Sequence, residues 1–63
     1  MSQRDDMFDA LTSLKRITQE VYSLCEQGRL LHAVEELELA QVYLDEATSY
    51  IKQRLARQEA QHD

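Results

Sequence analysis

Proline and tryptophan are absent from this chain of 63 residues, and glycine and cysteine occur once each. Without proline, and with Gly28 as the only glycine, the chain lacks the punctuation that separates short strands. A single cysteine, Cys25, cannot form an intrachain disulfide and suits a reducing compartment. No strictly apolar stretch exceeds two residues, so a span of about 20 apolar residues is missing. The opening run Met1-Ser2-Gln3-Arg4-Asp5-Asp6 has no apolar region of the kind a signal peptide needs. Together these absences lead to the expectation of a cytoplasmic protein that does not cross a membrane.

Size sets the next constraint. A chain this short buries only about 60% of its unfolded surface when it folds alone. With no disulfide or metal-ligand cluster to staple it, further burial has to come from self-association or from a partner. Seven Lys and Arg stand against twelve Asp and Glu, for a formal net charge of −5. That balance disfavours nucleic-acid binding, which depends on neutralising phosphates with basic side chains. Only two local basic strips, Lys52, Arg54 and Arg57, and Lys15 with Arg16, run against it.

What is present is helix-forming sequence with regular apolar spacing. Gly28 suits the C′ position of a helix and divides the chain into two arms. Helix 1 is expected over about residues 4–27, a turn at 28–29, helix 2 over about 30–58, and a frayed tail at 59–63. Ser2 or Asp5 can cap the first helix, and Lys52, Arg54 and Arg57 complement the dipole in the last turns of the second. Helix 1 carries Met7, Ala10, Leu11, Leu14, Ile17, Val21, Leu24 and Cys25 at three- and four-residue steps, and helix 2 carries Leu30, Val34, Leu37, Ala40, Leu44, Ala47, Ile51 and Leu55. These steps predict an all-α, antiparallel two-helix hairpin with those residues as hairpin or dimer core. Counting outward from Gly28 places Leu24 at the level of Ala33, Ile17 at Leu39–Ala40, and Leu14 near Tyr43.

Helix 2 has more apolar surface than one seam can use. His32, Glu36, Leu39, Tyr43, Tyr50, Arg54 and Arg57 project together on an adjoining strip, rich in the residue types favoured at interfaces. The expectation is a homodimeric four-helix bundle, with this strip left exposed to bind another protein. Two further readings are a nucleic-acid-binding hairpin using the basic strips and a purely structural oligomerisation element.

No cofactor, metal or catalytic set is expected. Cys25 reads as a small buried hydrophobe; with His32 it lacks the third member of a nucleophilic triad. His32 and Glu36 offer two ligands at helical spacing, where a structural zinc needs four. Five carboxylates, Glu35, Glu36, Glu38, Asp45 and Glu46, spread around helix 2 as a solvated face, or as a means of steering toward a basic partner.

The segment from Gly28 to Ala40 resembles the turn and second helix of a tetratricopeptide repeat. Its turn glycine, the small Ala33 and Ala40, and the large Leu37 between them carry the likeness, over about a fifth of the chain. The first helix departs from that pattern at Ile17 and Val21, so the resemblance is one of hairpin packing. The overall layout is similar to that of plasmid copy-number hairpins, again at the level of architecture.

Overall fold

A computed structural model describes residues 3–61, with side chains for residues 6–60. Helix α1 runs over Gln3–Glu26 and helix α2 over Leu30–Gln61, and the two pack side by side as an antiparallel hairpin. The body is a rod of 53 × 19 × 14 Å, the shape expected of helices rising about 1.5 Å per residue. Among the described residues, no helix is long and apolar enough to cross a membrane.

The turn follows from Gly28. Its φ of 76° lies in the left-handed region, which costs a residue without a Cβ little. Two bonds close the end of α1: the Arg29 amide donates to the Leu24 carbonyl at 2.9 Å, and the Gly28 amide donates to that of Cys25 at 3.1 Å. This is the paired arrangement of a Schellman motif. The Ala33 amide then donates to the Arg29 carbonyl at 3.1 Å and starts α2.

The helix ends refine the expectation. Asp5 falls in the first turn of α1, and Ser2 is outside the described residues. At the other end α2 continues to Gln61, because Gln58, Glu59 and Ala60 are good helix formers and nothing stops them. Lys52, Arg54 and Arg57 therefore sit before the last turn, which contains no basic residue. The remainder of the tail, His62 and Asp63, lies outside the described residues.

The seam between the helices has one pattern on each side. On α1 it consists of Met7, Ala10, Leu14, Ile17, Val21 and Leu24, all buried or half-buried. On α2 it consists of Ala33, Glu36, Ala40, Tyr43, Ala47 and Tyr50, also buried or half-buried. Both series alternate steps of three and four, the repeat of coiled-coil packing. Residues equidistant from the turn share a level. Leu24 is thus level with Ala33 and Ile17 with Ala40, a large side chain opposite a small one. Leu14 and Met7 are level with the two tyrosines, and Ala10 with Ala47. At the open end the Arg54 guanidinium donates to the Met7 sulfur at 3.9 Å, placing the end of the seam beside the start of α1.

Candidate interaction face

Hydropathy located the α1 half of the hairpin seam, whereas on α2 the seam runs one residue before the leucine series. Leu30, Val34, Leu37, Leu44, Ile51 and Leu55, expected in the hairpin or dimer core, are between 47% and 62% exposed in the single hairpin. Leu11 of α1 is exposed as well, and so is Cys25, which was expected to be buried. Conversely Tyr43, Tyr50 and Glu36, expected on an open partner-binding strip, lie half-buried in the seam. The remaining members of that strip are dispersed. His32 and Leu39 are exposed on one flank of the seam, Arg54 ends it, and Arg57 follows one turn beyond.

The exposed residues have a simple relation to the seam. Each exposed position in the series Leu30, Val34, Leu37, Gln41, Leu44, Thr48, Ile51 and Leu55 from Val34 onward immediately follows a seam residue, and Leu30 extends the series by one turn. The same step on α1 yields Phe8, Leu11, Lys15, Thr18, Tyr22 and Cys25, all exposed. One residue is a rotation of about 100° around the helix axis. Because the helices are antiparallel, that rotation runs clockwise on one and counterclockwise on the other when viewed from one end. Both series therefore reach the same side of the hairpin.

Polar members of this side are few and partly hidden. The Thr18 hydroxyl donates to the Leu14 carbonyl and the Thr48 hydroxyl to the Leu44 carbonyl, each at 2.8 Å. Bonded back to their own helices, both hydroxyls have their hydrogen bonds satisfied locally. Lys15 is the only charged residue of the series, and both Lys15 and Gln41 have long apolar stems. The outcome is a continuous apolar face along most of the rod, larger than a scatter of surface leucines.

The opposite side carries the residues that precede the seam positions. Asp6, Asp9, Ser13, Arg16, Glu20 and Ser23 of α1 share it with His32, Glu35 and Glu46 of α2. A shallow groove there is bordered by Arg16, Glu20, Ser23 and Gln27 together with His32 and Glu36, which places these residues on one side. Leu39 and Val42 are its exposed apolar members.

Near the turn, one Arg29 guanidinium nitrogen lies 3.3 Å from His32 Nδ1, and His32 Nε2 lies 3.7 Å from a Glu36 carboxylate oxygen. Since arginine can only donate, a hydrogen bond between them uses Nδ1 as the acceptor and leaves Nε2 toward Glu36. This small polar chain belongs to the groove side. Cys25 lies on the apolar side, so the two residues weighed as a nucleophile and its base face away from each other. No cluster of three His, Cys, Asp or Glu side chains suited to a metal occurs among the described residues.

Sequence reasoning missed the side shared by the two helices, although the signal was available. The level pairing counted from Gly28 already placed Ala33 and Ala40 opposite Leu24 and Ile17. Following those pairs, rather than the most apolar arc of α2, identifies the seam and leaves the leucine series outside. No protein-family model, curated protein or solved structure matches the chain.

Proposed function

We propose that this chain is a non-enzymatic protein-interaction module, and that its working surface is the apolar face formed by both helices. It would act by occupying or bridging protein surfaces, as small inhibitors, adaptors and co-chaperones do. The observation that carries this reading is the leucine series of α2, about half exposed from Leu30 to Leu55. Burying it is worth about 25 cal/mol per Å² of apolar surface removed from water. An isolated hairpin would recover much of that by rolling α2 through one residue to place the leucines in the seam. The seam filled by Ala33, Ala40 and Ala47 makes physical sense when the leucines meet something else.

The nucleic-acid reading has less support. Arg54 is engaged at the end of the seam, Lys15 sits on the apolar side and Arg16 on the polar side. The five basic residues do not line up as one strip along which a phosphate backbone could run.

Affinity capture with three baits tests the proposal. Wild type and Leu39→Glu, a variant on the polar side, should retain the same protein partners, further copies of the chain included. Leu37→Glu/Leu44→Glu should lose them. Loss with Leu39→Glu alone would move the working surface to the other side.

A further inference from the structure

We infer that the apolar face is closed by a second copy of this chain, packed face to face with both turns at the same end. Helix α1 of each copy then lies antiparallel along α2 of the other, completing a four-helix bundle. The inference rests on reading that face as a protein-docking surface, and it names the occupant.

Surface area supports a partner of this size. A compact monomer of 7.4 kDa exposes about 4,200 Å², whereas this hairpin exposes 5171 Å². The excess, roughly 1,000 Å², is comparable to the ~800 Å² that each partner contributes to a standard stable interface. The position of the face agrees. A helix in a four-helix bundle meets its two neighbours near a right angle, and the exposed series stands about 100° from the seam on both helices. A face contributed by both helices is also what a two-fold dimer can use against itself.

Charge then selects the arrangement. Among the described residues, Lys15 is the only charge in the two exposed series that make the face, and it shares a level with Val42. With both turns at one end, Lys15 of one copy lies along α2 of the other, between Glu38 and Asp45 on its outer edge. The contact occurs twice because of the two-fold axis. With turns at opposite ends and the faces fully overlapped, α1 lies along α1. Lys15 then falls within one residue of the axis, so two lysines meet, and Glu38 approaches Asp45. Like charges opposed on a rim suppress one orientation and opposite charges favour the other.

Solution mass, charge reversal and cross-linking test this together. Sedimentation equilibrium of the full chain should give twice 7.4 kDa at micromolar concentration. Lys15→Glu should weaken the dimer by about tenfold, since two attractive contacts become repulsive at once. Adding Glu38→Lys and Asp45→Lys should restore it. All three positions are exposed or on an edge, and retained helicity by circular dichroism checks that the variants fold.

The native Cys25 side chains, exposed on the face near the turn, should be joined by a short bis-maleimide in the same-end dimer. In the opposite-end dimer they are near the two ends of a 53 Å rod, out of its reach. A dimer that neither cross-links at Cys25 nor shows charge rescue would overturn the same-end arrangement. A chain monomeric at every concentration would overturn the second copy as occupant. The docking-surface reading survives that second outcome if a hydrophobic dye binds wild type and leaves Leu37→Glu/Leu44→Glu. It fails with the inference if the dye binds neither protein.

Discussion

The two apolar series on α2 are one residue apart in sequence and have opposite environments. Ala33, Glu36, Ala40, Tyr43, Ala47 and Tyr50 face α1, while Val34, Leu37, Gln41, Leu44, Thr48 and Ile51 follow them and face outward. The inner series is the less hydrophobic of the two. The difference teaches that a helix seam is chosen by fit as well as by hydropathy. Leu24, Ile17 and Met7 are buried between the helices, and the facing positions are small or are half-buried tyrosines. The outer leucines need a surface that α1 cannot provide.

The largest effect that would break this comparison comes from the tyrosines. Replacing Tyr43 and Tyr50 together by Ala removes two half-buried rings from the seam, facing Leu14 and Met7. A loss of about 3 kcal/mol is expected, comparable to the whole stability of a chain this size. Circular dichroism should record collapse of helicity. Leu44→Ala with Ile51→Ala, the neighbouring outer pair, should leave the monomeric hairpin helical. Equal losses from the two double variants in dilute solution would erase the distinction between the series.

A finer contrast uses adjacent residues. Ala47 is 2% exposed and is level with Ala10, which is 3% exposed, so a larger side chain here has to enter the buried seam. Ala47→Leu should cost about 2 kcal/mol through overpacking. Thr48, one residue on, points to the open face with its hydroxyl bonded to the Leu44 carbonyl. Thr48→Leu should change monomer stability by no more than about 0.5 kcal/mol. Urea denaturation of the two variants measures the difference, and a Thr48→Leu loss as large as that of Ala47→Leu would place the seam elsewhere.

These contrasts also explain what the sequence made legible. Two helices, the turn at Gly28 and the level pairing followed from spacing alone, because a short connection with one left-handed residue fixes antiparallel neighbours. The buried set of α1 was also legible, since Met7, Ile17 and Leu24 form its most apolar arc. The α2 half of the hairpin seam was not separable in the sequence from the outer series, because two three-four series coexist there and a projection of hydropathy ranks leucine above alanine. It cannot register that a small residue is buried where the opposite helix brings a large one. The tyrosines misled for a related reason. Their polar tips suit an exposed interface, but their rings can lie along a seam with only the edge open.

Glu36 provides the smallest and sharpest test of that account. It occupies a seam position at the level of Val21, half-buried, with a carboxylate oxygen 3.7 Å from His32 Nε2. Among the described residues, the compensation for removing it from water is a histidine whose side chain is about half exposed and which, when neutral, offers a dipole rather than a charge. Leucine at this site would keep the helix propensity, fill the space beside Val21 and bury apolar surface instead. Glu36→Leu should therefore raise hairpin stability by about 1 kcal/mol. Glu35→Leu, at an exposed neighbouring position, should change it little. The two substitutions remove the same charge and add the same side chain, so a difference between their urea midpoints isolates the environment of position 36. Equal midpoints would mean that Glu36 is solvated and that the seam on α2 does not include it.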